Sequence, residues 1–598
     1  MTDKSIKNIL LSVDKPARYT GGEINTPPQK KDAVLRYLLC LPDVYEVAMS
    51  NLGIKILYDV LNARKDTVCH NCFAPWPDMG AQLSANGIPL YSLESGEPMA
   101  SYGMVGFSLQ YELSYSNVVY MLRLGGIPVL SSDRKETDPV IMAGGPCTVN
   151  PAPMSGIIDL FSIGDGEETL DLIAGVYVAN KEAGGSRKDF LQKAAGLPGV
   201  YVPGISVGVK RAVIPSLETA HCPVKPKISN IEAVHNRAVI ELFRGCTRGC
   251  RFCQAGMIYR PVRERTPQTV VALAEQLIDN CGYDEISLSS LSTCDYPRLR
   301  ELLTALKPIC DSRHVSISLP STRVDSFEAD FVADSRISSI TFAPEAGTQR
   351  LRDVINKNVT EADIFSSLKT AFNRGYANVK LYFMLGLPTE TFEDVAGIAD
   401  MCERIVELYK TERRSGKPLS LSVSTSTFIP KPFTPFQWER QFGEEEITAR
   451  QNLLKERLRR IRVKYSYHDI RASRLEAAFS RGDKRMGAVL IKACELGCKF
   501  DGWTELFDAD AWDKAFAECG ISIDEYTREF NENERLPWSM VDAGVSFGYL
   551  LGERHKAYRA ETTGDCRSGC RGCGLAASHI EAFAANCAGR KGAANDNR

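Results

Sequence analysis

Cys246, Cys250 and Cys253 stand in the run Glu241-Leu-Phe-Arg-Gly-Cys-Thr-Arg-Gly-Cys-Arg-Phe-Cys253, directly after an apolar, strand-like stretch. Three thiolates spaced C-x3-C-x2-C on one short loop can hold three irons of a [4Fe-4S] cube and leave the fourth without a protein ligand. With 19 cysteines in 598 residues, the spacing arises by chance with a probability of only ~0.02. A zinc knuckle is the alternative, and zinc asks for a fourth Cys or His nearby. Downstream, Cys281 lies well beyond the loop on a predicted helix end; upstream, His235 stands at the far end of the preceding strand.

The chain is too long for one core and predicts about three to four domains. Hydrophobic residues make up 44% and charged residues 24%, as in an ordinary globular protein. A net charge of -2 gives no global attraction to nucleic acid or anionic membrane. No run of roughly 18 apolar residues predicts a spanning helix, and the opening Met-Thr-Asp-Lys-Ser-Ile-Lys lacks a secretory core. The expectation is a cytoplasmic protein whose cysteines are metal ligands or buried thiols, not disulfides.

Residues 1–29 form an N-terminal extension. Residues 30–190 read as an open α/β domain with strands at 33–41, 104–109, 139–143 and 160–163, a loop at 43–53 and helices at 54–62, 115–124 and 168–179. Such alternation gives a Rossmann-like parallel sheet with ligands at the carboxyl ends of its strands. Residues 191–235, with several prolines, read as a linker. Residues 236–435 repeat a strand-then-helix unit six times, with strands at 238–243, 285–289, 315–319, 339–342, 379–385 and 421–428. That is a partial (β/α)6 barrel of the TIM type, with chemistry at the C-terminal strand ends. Thr266-Pro267 and Thr360-Glu-Ala-Asp363 mark helix starts within it. Residues 436–560 read as mainly helical, 561–588 as a Cys-rich terminal segment and 589–598 as a polar, disordered tail.

The cysteine run resembles the defining motif of the radical S-adenosylmethionine (SAM) enzymes, including the aromatic Phe252 before the third cysteine. Over nearly its whole length the chain resembles the B12-binding-domain-containing radical SAM family. The resemblance is carried by Pro42-Asp-Val-Tyr-Glu-Val-Ala-Met-Ser-Asn-Leu-Gly53, Ala143-Gly-Gly-Pro146, Ala343-Pro-Glu-Ala-Gly-Thr-Gln-Arg350, Leu381-Tyr-Phe-Met-Leu-Gly-Leu-Pro-Thr-Glu390 and Asp565-Cys-Arg-Ser-Gly-Cys-Arg-Gly-Cys-Gly574, together with 73–78, 106–112, 245–265 and 428–432. It implies a [4Fe-4S] cluster on Cys246, Cys250 and Cys253, SAM chelating the open iron, its reductive cleavage to a 5'-deoxyadenosyl radical, and an electron donor of the flavodoxin or ferredoxin type. It implies SAM contacts for Phe252; for Ser290, in a turn where such enzymes often carry Gly-Gly-Glu; for Glu345, toward the ribose or amino group; and for Gly386, Pro388 and Glu390, beside adenine. Glu345 as a turn cap and 386–388 as a plain bend are the alternatives. No catalytic acid or base is assigned, and the substrate is not encoded in any motif.

Cobalamin-binding Rossmann domains commonly show Asp-x-His-x-x-Gly, then Ser-x-Leu, then Gly-Gly. Ser108 and Gly144-Gly145 stand on suitable turns, whereas 43–53 contains no histidine. Two readings stay open: cobalamin held without a histidine ligand, or a fold that has lost the cofactor. Near the C-terminus Cys566, Cys570 and Cys573 repeat the cysteine spacing, with Cys587 as a candidate fourth ligand. An auxiliary iron–sulfur cluster and a zinc site both suit those ligands. Three functions follow: a radical SAM enzyme, with methyl transfer if cobalamin is present; sulfur insertion into RNA or protein; or a non-catalytic iron–sulfur regulator. Arg260, Arg263 and Arg265 are candidates to hold an anionic group or to pair with Glu264.

Overall fold

The computed structural model describes residues 4–320, 340–413 and 416–575. Its first half is built on β1 (Leu35–Leu41), β2 (Thr67–Phe73), β3 (Met104–Ser108), β4 (Val140–Gly144), β5 (Leu160–Ser162) and β6 (Val200–Tyr201), in the order β2-β1-β3-β4-β5-β6. β1 to β5 are parallel, and β6 closes one edge antiparallel. These strands are buried on both faces, as a parallel sheet must be. Leu52–Ala63 and Gly166–Glu182 cover one face through Tyr58, Leu61 and Ile173; Tyr115–Leu124 covers the other through Val118 and Leu122. The order reverses direction between β1 and β3. Such a switch point opens a crevice beyond the carboxyl ends of the strands.

β2 escapes the sequence pattern because Thr-Val-Cys-His-Asn-Cys-Phe mixes polar with apolar residues. It is a strand because both its faces are covered. Cys69 and Cys72, an odd number of residues apart, enter the cores on opposite sides of the sheet. His70 is held between Tyr102 Oη at 2.6 Å and Gln29 Oε1 at 2.8 Å.

The second half contains β7 (Val209–Lys210), β8 (Ala238–Glu241), β9 (Phe243–Arg244), β10 (Arg263–Glu264), β11 (Glu285–Ser289) and β12 (Ser316–Ser318). β13 (Ile340–Glu345), β14 (Asn378–Leu385), β15 (Ser420–Thr427), β16 (Lys464–Tyr467) and β17 (Val541–Asp542) follow. β12-β11-β8 and β13-β14-β15-β16 are two parallel arcs. Among the described residues no ladder joins β12 to β13, so the expected barrel is seen as two arcs. The capping signals hold: Thr266 accepts from the Thr269 amide, and Thr360 with Asp363 forms a reciprocal box. Residues 436–560 are not helical throughout, since β16 adds to the open edge of β15. The expected linker supplies β6, and also β7, which pairs with β17. Among the described residues no helix is long and apolar enough to cross a membrane.

The first sheet and the first arc are joined by charge. Asp165, at the turn after β5, accepts from Arg244 at 2.8 Å and from Arg263, and also from the Ile214 amide at 2.9 Å. Arg244 reaches on to Glu167 at 2.8 Å and Glu241 at 2.9 Å. Burial raises the Asp165 carboxyl, but the two guanidinium groups outweigh it and hold the group below its ordinary 3.8. Its contribution is therefore complete above about pH 4 and is lost as pH falls through the lower folded value. Asp165→Asn leaves two buried guanidinium groups short of charge and should cost ~3–5 kcal/mol in urea unfolding at neutral pH. The gap between wild type and variant should stay constant from about pH 6 to 8 and shrink below about pH 4; a gap that widens in acid would contradict the joint.

Candidate functional site

The cysteine loop leaves β9 at Gly245, whose φ is +96°. A Cβ there would stand 2.7 Å from the Pro261 carbonyl oxygen, so only glycine makes this turn. Cys246, Cys250 and Cys253 are all half-buried. The Gly256 amide points at Cys253 Sγ at 3.4 Å. Burial first, then the nearby Cys250 and Cys246, push that thiol up to about 12. Metal binding must therefore displace a proton here. Among the described residues no three Cys, His, Asp or Glu side chains converge for a single metal ion. A cube does not require that convergence, because each thiolate binds its own iron. Three thiols on a glycine-turned loop, with no fourth ligand on that loop, fit the cube's donor set.

The loop is anchored at Arg251, which is wholly buried. Its guanidinium donates to the Asp353, Val354 and Glu561 carbonyls at 3.1, 2.9 and 2.7 Å and to Glu553 Oε2 at 3.1 Å. Its own amide donates to the Ile355 carbonyl at 3.0 Å. Asn356 Nδ2 donates to the Gly249 carbonyl at 3.1 Å. Two segments distant in sequence, the C-terminal end of the helix Gln349–Val354 and the helix Phe547–Tyr558 with the residues just after it, thus fix the loop's outer side.

Phe252 packs on the cluster of Ala346, Ile355 and Phe428, together with Met384 near the end of β14. Lys357 links this group to Glu345. Its Nζ lies 3.1 Å from Glu345 Oε1 and 6.0 Å from the Phe252 ring centre, and its charge acts on Cys253. Glu345 itself has φ +68° beside a register shift in the β13–β14 ladder. A non-glycine held in the left-handed region at a strand end is a strained position of the kind found at functional sites. The structure therefore gathers the cysteines, Phe252 and Glu345. Lys357 is the member that the sequence reading lacks; its one local signal is the run Asn356-Lys-Asn358, whose asparagines both take positive φ.

Gly386, Pro388 and Glu390 sit one loop away and are buried. Glu390 Oε1 accepts the Gly386 amide at 2.9 Å and Arg450 Nε at 2.7 Å, while burial pushes the carboxyl up to about 7. It braces the loop after β14. Ser290 Oγ is 3.1 Å from Thr293 Oγ1 and accepts the Ser292 amide at 3.3 Å. The three arginines are committed to structure: Arg260 to the Gly256 carbonyl, Arg263 to Asp165, Arg265 to the Ala220 carbonyl. Glu264 pairs instead with Arg567 at 3.2 Å. These bonds replace the expected pairing with Glu264.

A cavity of about 480 Å³ lies between the first sheet and the first arc. Ser108, Gly144 and Gly145 line one wall; Glu241, Arg244 and Ser290 line the other. Gly145 has φ +97°, and a Cβ there would stand 2.6 Å from the Leu109 carbonyl oxygen. No histidine lines the cavity among the described residues. Arg211 is buried on its wall, with Nη2 donating to the Arg260 carbonyl, Nε donating to Ala543, and Nη1 without a partner. Cys566, Cys570 and Cys573 lie on a turn against the first cysteine loop, and Cys587 lies outside the described residues.

Residues 53–203 match the family described as Radical SAM proteins, N-terminal, and residues 240–402 match the Radical SAM superfamily. The chain is a radical SAM enzyme. That family uses a [4Fe-4S] cluster and SAM and needs an electron donor. An uncharacterized protein of Methanocaldococcus jannaschii is 28% identical over 454 residues, 75% of this chain and 89% of its own length. The cytidylyl-2-hydroxyethylphosphonate methyltransferase of Streptomyces wedmorensis is 30% identical over 169 residues, 27% of this chain and 32% of its own length. Among solved structures, the radical SAM methyltransferase TsrM from Kitasatospora setae, with cobalamin and a [4Fe-4S] cluster bound, aligns with a TM-score of 0.46 at 15% identity, covering 67% of this chain and 77% of that one.

The anchor predicts a local effect. Glu553→Gln leaves the buried Arg251 short of its counter-charge and should destabilise the fold by ~3–5 kcal/mol. Amide exchange should rise first in residues 246–253 and 353–357; uniform protection across the loop in the variant would show that Glu553 does not hold it.

Proposed function

We propose that the cavity takes a corrinoid and that the enzyme transfers a methyl group. The observation that carries this reading is the cavity's position: the switch point of a flavodoxin-like sheet faces the root of the cysteine loop across one cavity. When bound, the cluster with SAM supplies a 5'-deoxyadenosyl radical, and the corrinoid supplies a methyl carrier. The chain's own residues do the rest. Gly144 and Gly145 keep the wall bare so that a flat macrocycle can approach the backbone. Arg211, buried behind the wall, braces it through its bonds to the Arg260 and Ala543 carbonyls. Among the described residues no histidine lines the wall, so a corrinoid bound there would be held by these wall residues without an imidazole from the wall. Phe252, Lys357 and Glu345 flank the SAM side, with Gly386, Pro388 and Glu390 shaping the loop beside adenine. The methyltransferase of Streptomyces wedmorensis, similar over part of the chain, supports methyl transfer as the outcome. In the same reading the two arcs belong to one partial (β/α)6 barrel, residues 30–190 and 236–435 are the two functional domains, and a cytoplasmic flavodoxin or ferredoxin delivers the electrons.

Gly144 gives the test. A Cβ there meets nothing closer than the Ser162 carbonyl oxygen at 3.8 Å, so Gly144→Phe should fold and fill the cavity. Wild type reconstituted with hydroxocobalamin should retain about one cobalt per chain through gel filtration, and the variant should retain none while keeping its iron. Wild type that retains iron but no cobalt would sink the corrinoid reading and leave SAM cleavage untouched.

A further inference from the structure

The terminal cysteine turn is not a free appendage. The Cys566 amide donates to the Thr247 carbonyl at 3.1 Å, one residue from Cys246. Thr247 Oγ1 donates to Asp565 Oδ2 at 2.9 Å, and Arg248 Nε lies 3.4 Å from the same carboxylate. Arg567 reaches Glu264 on β10 at 3.2 Å. From the far side, the Ser546 amide donates to the Cys573 carbonyl at 2.8 Å. Thr563 binds Asn356 Oδ1 through its amide at 2.7 Å, so the asparagine that holds Gly249 also holds the terminal segment. Standard bond lengths then place the Cα atoms of Cys246 and Cys566 within about 11 Å.

Between the two loops lies the buried Arg260. Its Nε donates to the Gly256 carbonyl, just past Cys253, at 2.9 Å, and its guanidinium interacts electrostatically with Cys573 and Cys566. Cys566, Cys570 and Cys573 are all half-buried, and the turn is shaped by Arg571, which donates to the Gly564 carbonyl at 3.1 Å and to Ser568 Oγ at 2.9 Å. A C-x3-C-x2-C loop, a buried cation and a direct backbone bond to the first cysteine loop stand together in one place.

We propose that Cys566, Cys570 and Cys573 ligate a second iron–sulfur cluster that serves as the electron relay to the first. This rests on the first loop holding a cluster. One electron from a low-potential one-electron donor reduces the terminal cluster. It then passes to the first cluster, returning the terminal one to its oxidised state. No covalent bond forms or breaks in that transfer, and no proton moves. The separation lies within ordinary tunnelling reach.

The full chain is reconstituted anaerobically as wild type, as the triple Cys→Ser variant of the terminal turn, and as Asp565→Asn. Iron, sulfide and zinc are counted, and the dithionite-reduced proteins are compared by electron paramagnetic resonance. Wild type should hold about eight irons and the triple variant about four. The reduced wild-type signal should be broadened by coupling between two neighbouring spins, and the triple variant should show one sharp signal. Asp565→Asn keeps every cysteine and should keep the iron while weakening the coupling. One zinc in place of the second four irons, or two clusters without spin coupling, would overturn the proposal. A triple Cys→Ser variant of the first loop that keeps all its iron would instead overturn the earlier reading.

Discussion

A positive charge with no access to water holds the centre of this protein together. Arg251 sits between the second and third cysteines, and its guanidinium is satisfied entirely by three carbonyls and one buried carboxylate. A charge in that setting fixes geometry, because losing any partner leaves an expensive buried group. Glu553 answers it. Burial raises that carboxyl, but bonds from Lys556 and Thr563 and the Arg251 charge hold it below the ordinary value. Through this pair a loop near residue 250 is positioned by a helix near residue 550. The cysteines inherit their placement from it.

The same logic governs the cavity. Both parallel assemblies aim the carboxyl ends of their strands at one space, and the joint between them is an array of arginines and carboxylates about Asp165. Most polar groups at the rim are thereby bonded to protein, so the walls are stiff. The exception on the wall is Arg211, with one buried nitrogen unsatisfied. A stiff cavity is built to orient the ligand it holds.

Much of this was legible in the chain. The cysteine spacing, the glycine turns after β4 and β9, and the caps at Thr266 and Thr360 each rest on local chemistry, and local chemistry can be read from a run of residues. β2 was not legible because a strand covered on both faces needs no alternation, and its His70 is satisfied by the distant Tyr102 and Gln29. β16 was hidden for a related reason: four residues become a strand only when a neighbour's edge is free. Lys357 carries only its flanking asparagines as a local signal, since its importance comes from Glu345 and Phe252 converging on it. The docking of Cys566 on Thr247 spans more than three hundred residues and leaves no trace in spacing.

The central claim is that three cysteines leave one iron corner open for SAM. Mössbauer spectroscopy of iron-enriched protein, with the terminal triplet changed to serine so that a single cluster remains, addresses that corner directly. Adding SAM should change the parameters of one iron site while the other three stay as they were. A spectrum in which no site responds to SAM, or in which all four respond alike, would contradict the account.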